Sequence, residues 1–360
     1  MKTLKYHIML LTLVPLGFAF KALNSKDGVI SKSILKSNRL RSEVRRISKQ
    51  INKNKPKHNV SLISRTEWND NDGLSYKQVA GANLGATSFA PIDKNETAFL
   101  SDATNEIITI NNINGKAFRK FKVLFAPRDF VYDPPYFYVL TEDRVAVYNQ
   151  IGKEIRKYLL PGSLVGVERL SRYNKATYLL LPSGNSLEIE RNGNLIEPKE
   201  HAGWITSCGM YIKTQLNGNN SYSVRIITPN GNLEKNFTTE KKLAGVFVVG
   251  ANLTRIVLDM QFYISENPIS VERRIVSIKK NKNGFGDIIA DTKVPDCYYV
   301  LSNKDFYLAD DGRIYNMLTA PTGMFVFSLR EASSTISKGY PTALNTIQYH
   351  FNNHLLKVGN

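Results

Sequence analysis

The sequence predicts an all-β protein that is built from a repeated unit of short antiparallel strands. Residues 222–237, YSVRIITPNGNLEKNF, alternate apolar and polar side chains on both sides of a tight turn, which is typical of a β-hairpin. The same pattern recurs around Gly115, Gly152 and Gly193. Together with Gly231, these glycines are separated by 37, 41 and 38 residues, and such a period indicates a repeat protein.

Each repeat contains two further strands upstream of its hairpin. Apolar segments at 97–102, 136–143, 177–183 and 210–216 each precede a hairpin strand, and short strands at 125–133, 164–171 and 204–209 precede those. Four short antiparallel strands per repeat are typical of a β-propeller blade. We therefore predict a six-bladed β-propeller with turns near residues 115, 152, 193, 231, 284 and 330. Residues 73–89 form either a glycine-rich loop or a degenerate seventh blade.

The last predicted blade lacks one strand, and the first strand of the chain lacks a partner. Residues 305–331 supply three strands, while NVSLISRT at 59–66 stands alone. Pairing the two would complete the blade and close the ring, and it would leave no exposed strand edge at that seam.

The blade pattern resembles a known group of propellers. The segments DDGRIYN and NEIITINNINGK are similar to the six-bladed propellers of the NHL and TolB-like kind, and this resemblance covers roughly residues 60–331. It implies the fold and not a function, because no functional motif of a family is matched. The WD and GH signatures of WD40 repeats are absent from the sequence.

The amino-terminal segment differs in composition from the rest of the chain. Residues 8–20 form an apolar run of 13 residues after Lys2 and Lys5, so residues 1–22 are predicted to be a signal peptide for export, with a retained signal anchor as the alternative. Residues 1–57 carry a net charge of +12 out of +17 for the whole chain. No nucleic-acid partner is expected, because the basic charge is confined to this segment.

A basic amphipathic helix is predicted within residues 23–58. Leu40, Val44, Ile47 and Ile51 recur at helical spacing, which places them on one face. Such a helix could tether the protein to an anionic membrane surface or to a partner, or it could be a linker that packs on the domain that follows. The predicted tether residues on its opposite face are Arg39, Arg45, Arg46 and Lys49.

Residues 59–335 are assigned to the propeller and residues 336–360 to a carboxy-terminal tail, either a closing helix or disordered. His350 and His354 in the tail have the spacing of metal ligands but lack an acidic third ligand nearby. WNDNDG at 68–73 is interpreted as a polar turn and not as a calcium loop, because the bidentate glutamate is missing. Cys208 and Cys297 are interpreted as buried free thiols. No metal and no cofactor is expected.

The loops at one end of a propeller form a natural binding surface. The loops that join blades and the turns between second and third strands meet at that end, and they carry charged and aromatic residues. Trp204 could anchor a partner or stack on a sugar, or it could be a core aromatic wedged between blades 3 and 4. The predicted partner-binding residues are Trp204, His201, Arg128, Asp129, Glu142, Asp143, Lys241 and Lys242.

These observations favour a non-enzymatic, exported propeller that acts as a protein-protein interaction platform, or as a subunit of a complex in the periplasm or cell envelope of a bacterium. The alternative is a carbohydrate-active hydrolase or lyase that uses Asp129, Glu142 and Asp143, since acid-base cleavage of a glycoside needs two carboxylates that face each other. A sensor of a small ligand is a third possibility.

Overall fold

The computed structural model describes residues 58–331 except 161, 163, 165, 166, 168, 229, 230, 282, 283 and 295–298. These residues form strands, turns and loops, and no helix is found among them. The predicted signal peptide, the tether residues Arg39, Arg45, Arg46 and Lys49, and the tail at 336–360 lie outside the described residues.

The described residues form six four-stranded antiparallel sheets and one two-stranded hairpin. Blade 1 comprises β4 (Ala86–Pro91), β5 (Glu96–Ser101), β6 (Glu106–Asn111) and β7 (Ala117–Lys122). Blade 2 comprises β8 (Asp129–Asp133), β9 (Tyr136–Leu140), β10 (Arg144–Tyr148) and β11 (Glu154–Leu159). Blade 3 comprises β12 (Arg169–Tyr173), β13 (Ala176–Leu180), β14 (Ser186–Arg191) and β15 (Asn194–His201).

The remaining blades follow the same order. Blade 4 comprises β16 (Trp204–Ile205), β17 (Tyr211–Gly218), β18 (Ser221–Thr228) and β19 (Gly231–Thr238). Blade 5 comprises β20 (Leu243–Ala251), β21 (Arg255–Glu266), β22 (Ile269–Asn281) and β23 (Gly284–Lys293). Blade 6 comprises β24 (Phe306–Leu308), β25 (Ile314–Ala320), β26 (Gly323–Glu331) and β1 (His58–Thr66). The first strand of each blade is the innermost one in the ring.

The first strand of the chain closes the ring, as predicted. Strand β1 pairs antiparallel with β26 from His58 opposite Glu331 to Thr66 opposite Met324. The predicted turn near residue 330 was wrong, because this position lies inside β26 and the fourth strand of the blade comes from the other end of the chain. The tight turn of blade 6 falls instead at residues 321–322, between β25 and β26.

The described residues form six blades, and residues 73–89 do not add a seventh. The segment 73–89, predicted as a loop or a degenerate blade, contains a hairpin of β2 (Lys77–Val79) and β3 (Ala82–Leu84) and then the start of β4. Strand β4 is the innermost strand of blade 1, so this segment connects the closing strand to the first blade.

The core consists of layers between the blades and not of one central mass. Each pair of neighbouring blades encloses its own cluster of buried apolar side chains. The layer between blades 3 and 4 is the smallest, with Ala176, Tyr178 and Ile205 as its buried members. Burial of apolar area is the main favourable term in folding, so blades 3 and 4 are held together by less of it than the other pairs.

The glycine period of the sequence reflects contacts between neighbouring blades. Gly115 and Gly152 lie in turns between third and fourth strands, with φ of 71° and 81°, a conformation that glycine adopts without strain. A Cβ at Gly115 would lie 2.0 Å from the Arg65 carbonyl oxygen in β1, and one at Gly152 would lie 2.3 Å from Phe121 Cβ in β7. Each turn therefore packs directly on the outermost strand of the preceding blade.

Candidate functional site

The ring has two ends that differ in their connections. The loops between blades and the turns between second and third strands meet at one end, which we call the loop end. The turns between first and second strands and those between third and fourth strands lie at the other, the turn end. All eight predicted partner-binding residues belong to segments at the loop end.

The segment that leads into β24 crosses the central channel at the loop end. The backbone N–H groups of Asn303 and Lys304 donate to the Thr87 carbonyl oxygen at 2.8 and 3.1 Å. The Asn303 side chain donates to the Arg128 carbonyl oxygen at 2.8 Å, and Arg169 donates to the Asn303 carbonyl oxygen at 3.3 Å. Because these partners belong to blades 1, 2 and 3, the segment closes the channel at this end.

Asp129 joins the blades below that segment. Its side chain is fully buried, and its Oδ1 accepts from Ser88 Oγ at 2.6 Å and pairs with Lys304 Nζ at 3.4 Å. The Leu170 backbone N–H donates to Oδ2 at 2.9 Å. A buried carboxylate is stable only when it is paired and hydrogen-bonded, and these contacts tie together strands of four blades. Asp129 therefore braces the centre of the ring.

A cavity of ≈ 670 Å³ occupies the channel on the other side of this brace. Its walls are the innermost strands, and its mouth is formed by turns at the turn end, including residues 133–134, 173–175 and 206–207. The charged side chains that line it are Arg169, Arg172, Lys175, Lys304, Asp129, Asp133 and Asp310. The cavity therefore faces the end opposite to the one that carries the predicted partner-binding residues.

Arg172 is bound within the cavity wall. It donates to Asp133 at 2.9 Å and to the buried Glu190 at 2.7 Å, and its guanidinium lies 3.9 Å from the ring centroid of Tyr138. Burial raises the pKa of Tyr138 to about 12, so this ring stays neutral. The positive charge of Arg172 is thus neutralised by carboxylates of the protein itself.

Trp204 is partly buried, packs against the apolar cluster between blades 4 and 5, and also lines the cavity. Its indole N–H donates to the Leu181 carbonyl oxygen of blade 3 at 3.1 Å. The guanidinium of Arg169 lies 5.4 Å from its ring centroid, at the distance of a cation–π contact. Of the eight predicted residues, Trp204 and Asp129 line the cavity.

The other six lie at the loop end in local pairs. Arg128 is 3.8 Å from Glu142, and the hydrogen bond from Arg144 lowers the pKa of Asp143 to about 2. Two further pairs and one His–Glu contact complete the set: Lys241 with Glu272 at 3.2 Å, Lys242 with Glu266 at 2.6 Å, and His201 with Glu188 at 3.2 Å. The structure does not bring these six together into one site.

Exposed apolar side chains recur at the turn end of blades 1, 2 and 3. Ile113, Ile151 and Leu195 are 84%, 81% and 59% exposed, and they lie in or next to the turn between third and fourth strands of their blades. Phe118 in β7 and Ile155 in β11, the strands that follow the first two of these turns, are also exposed. We call these five residues the apolar rim.

The turns of the apolar rim are built alike. In each of the first two, an asparagine side chain accepts the isoleucine N–H two residues on, from Ile113 to Asn111 at 2.9 Å and from Ile151 to Asn149 at 3.1 Å. Such a side-chain turn fixes the local backbone. The two isoleucines are therefore presented to solvent by the same local geometry on successive blades.

No group of three or more His, Cys, Asp or Glu side chains that could hold a metal lies among residues 58–331, apart from the gaps given above. That part also contains no helix long and apolar enough to cross a membrane. The WNDNDG segment forms a polar turn in which Asn71 N–H donates to Asn69 Oδ1 at 2.9 Å. Cys208 is a free thiol that is only partly buried, and Cys297 lies outside the described residues.

No protein-family model and no curated protein sequence matches the chain. Among solved structures, it is similar to hydrazine synthase from Kuenenia stuttgartiensis, with 14% identity over 64% of this chain and 72% of that one and a TM-score of 0.42. A candidate exported protein from Bacteroides fragilis matches with 11% identity, 76% and 100% coverage and a TM-score of 0.42. Virginiamycin B lyase from Staphylococcus aureus matches with 11% identity, 72% and 99% coverage and a TM-score of 0.38. At these identities none of the similarities assigns a function to this chain.

Proposed function

We propose that the protein is a non-enzymatic, exported interaction platform whose apolar rim binds a protein partner. The observation that carries this proposal is the recurrence of exposed isoleucine in equivalent turns of blades 1 and 2, continued by Leu195 on blade 3. Single exposed apolar residues are common on protein surfaces, but exposed apolar side chains that recur in equivalent turns of neighbouring blades offer a partner more apolar area than a single residue can.

The turns of the rim pack on the neighbouring blades. Gly115 and Gly152 seat their turns on the preceding blade, and Gly193 lies against the end of the Arg156 side chain of blade 2. A surface that is already ordered loses little conformational entropy when a partner binds. Exposed apolar side chains on ordered turns can therefore contribute most of their burial energy to binding.

The rim replaces the loop end as the proposed contact surface. The charged residues predicted there are paired within the chain, from Arg128 with Glu142 to Lys242 with Glu266. Surface ion pairs of this kind contribute little to binding, because a partner would have to compete with the existing pairs.

The enzymatic alternative receives less support from the geometry. Of the carboxylates predicted for a hydrolase or lyase, Asp129 is buried at the centre and holds partners on both oxygens, while Glu142 and Asp143 lie in an exposed turn at the loop end. A glycosidase needs two carboxylates on either side of one substrate bond. These three do not share a cavity.

The amino-terminal segment would place the platform outside the cytoplasm. Residues 1–22 would direct export, and the basic residues Arg39, Arg45, Arg46 and Lys49 would tether the propeller to an anionic surface of the cell envelope. The partner would then be another protein of the periplasm or envelope.

The proposal is tested by removing the rim without disturbing the ring. We expect the double variant Ile113→Ser, Ile151→Ser, isolated from the cells that produce the protein, to lose at least one partner that co-purifies with the wild type at stoichiometric amounts. The matched control is Leu253→Ser, Ile269→Ser, which removes two apolar side chains of similar exposure from blade 5. Quantitative mass spectrometry of both preparations, at equal protein and equal Tm, gives the result. Equal partner recovery from the two variants would contradict the proposal.

A further inference from the structure

The central cavity contains two cationic side chains that have no carboxylate partner in the described part of the chain. Lys304 pairs with Asp129, and Arg172 pairs with Asp133. Among the described residues, no carboxylate lies within ion-pair distance of the other two cations of the lining, Arg169 and Lys175. The carboxylate of Asp310 also lines the cavity, and it has no ion-pair partner among the described residues. Asp310 belongs to blade 6, across the ring from Lys175 in blade 3.

Arg169 is half-buried and lines the cavity at the loop end. It is the first residue of β12, and among the described residues its side chain donates one hydrogen bond, to the Asn303 carbonyl oxygen at 3.3 Å. A guanidinium carries five N–H donors in a planar fork, so other donors of Arg169 are available to a ligand. Such a fork matches the two oxygens of a carboxylate, phosphate or sulfonate.

Lys175 lies at the mouth in a backbone conformation that lysine rarely adopts. Asn174 and Lys175 are the two residues of the turn between β12 and β13, with φ of 47° and 59°. The outer turn of the same blade has the same form, but there the pair is Asn192 and Gly193, with φ of 53° and 87°. Asn–Gly is the preferred pair for such a turn, so a lysine at the cavity mouth costs stability that a glycine would not.

The rest of the cavity wall contains both apolar and polar side chains. Val131, Leu170, Ile205, Val248 and Phe306 are among the apolar residues, and Ser171, Thr206 and Ser207 are among the polar ones. Its volume of ≈ 670 Å³ lies in the range of about 300–1,000 Å³ that is usual for small-molecule sites. An inorganic ion would leave most of these walls in contact with water.

We infer that the cavity binds a small organic anion. The anionic group is held by Arg169 at the closed end, the apolar body lies against the innermost strands, and Lys175 attracts the anion at the mouth. This site is separate from the apolar rim, and it does not depend on a protein partner.

A matched pair of fluorescent probes tests the inference on the full-length protein. The anion 8-anilino-1-naphthalenesulfonate and the uncharged N-phenyl-1-naphthylamine share the same ring system and differ in the sulfonate group. We expect the anion to bind at one saturable site. The Arg169→Gln variant should raise the Kd for the anion by roughly tenfold or more. The uncharged probe should bind wild type and Arg169→Gln equally.

Two further variants separate the site from general effects of charge and folding. Lys175→Gly should weaken binding of the anion by a few-fold while it leaves Tm unchanged or raises it, because glycine relieves the turn. Lys153→Gln, an equal loss of charge at an exposed turn outside the cavity, should change neither. The inference is overturned if the anion shows no saturable site, if its Kd is the same in wild type and Arg169→Gln at equal Tm, or if the uncharged probe is weakened as much as the anion.

Discussion

At the scale of single residues, a histidine fastens the closing strand to the neighbouring blade. His58 begins β1 and is fully buried, with its ring nitrogens 2.6 Å from Thr292 Oγ1 and 3.4 Å from Ser277 Oγ of blade 5. Burial, and then the charge of Arg255, lowers the pKa of His58 from 6.5 to about 4. The folded protein therefore holds this side chain in the neutral form.

The pKa of His58 predicts a loss of stability in mild acid. The unfolded chain takes up a proton at this position near pH 6.5 while the folded chain does not, so the stabilisation is complete above that pH and is lost as pH falls toward 4. Between about pH 7 and about pH 5, we expect the wild type to lose about 2 kcal/mol of unfolding free energy from this group.

Urea unfolding at both pH values, on wild type and on His58→Gln, measures this contribution. Glutamine has no proton to take up, so the variant should lack that part of the pH dependence. Equal changes of unfolding free energy in the two proteins would show that His58 is not held neutral by the fold.

Residue roles at the centre of the ring were only partly predictable from the sequence. Asp129 was predicted as a partner contact. Its three bonding partners belong to other blades, and their positions in the sequence do not indicate that they meet at Asp129. Trp204 was predicted either as a partner contact or as a core aromatic between blades 3 and 4, and the structure shows that it bonds to blade 3 and packs against the cluster between blades 4 and 5. Lys175 was missed, although an Asn–Lys pair between two strands is a detectable signal of an unusual turn.

At the scale of elements, the turn between third and fourth strands is the unit that repeats. It contains the glycine that seats it on the preceding blade, and on blades 1 and 2 it also presents an exposed isoleucine. One short motif therefore contributes both to the fold and to the surface of the proposed platform.

A substitution in one such turn should destabilise the protein because of the blade contact. Gly152→Ala places a Cβ against Phe121 and requires a positive φ from alanine, so we expect a loss of about 2–4 kcal/mol in the free energy of unfolding. The matched control is Gly218→Ala, where a Cβ would meet only Ser221 Oγ at 3.5 Å and φ is not in the left-handed region. Chemical denaturation gives both values, and similar losses in the two variants would argue against the seating role of Gly152.

The period of the elements was predictable, while the ends of the repeat array were not. Blades 1 to 4 follow their glycines, because tight turns need particular residues. The prediction of a turn near residue 330 was wrong because the fourth strand of blade 6 is β1, which comes from the other end of the chain. No turn therefore joins the third and fourth strands of this blade. Strand β4 was not predicted, because it begins within a glycine-rich segment that also contains the β2–β3 hairpin.

At the scale of the whole molecule, ring closure decides which surfaces are available. The segment through Asn303 and Lys304 closes the loop end, so the cavity faces the turn end, where the apolar rim also lies. The sequence predicted a binding surface at the loop end from the general anatomy of propellers. It could not show that a connection between blades 5 and 6 would cross the channel, because that depends on contacts with three distant blades.

The apolar rim is the surface that we propose binds a protein partner. Site-specific photo-crosslinking measures this contact, with p-benzoylphenylalanine placed at position 113, 151 or 195 in turn, and at position 253 on blade 5 as the control, in cells that produce the full-length protein. We expect an adduct with one and the same protein from positions 113, 151 and 195, and none with that protein from position 253. An adduct pattern that is the same at position 253 as on the rim, or no adduct from the rim at all, would contradict it.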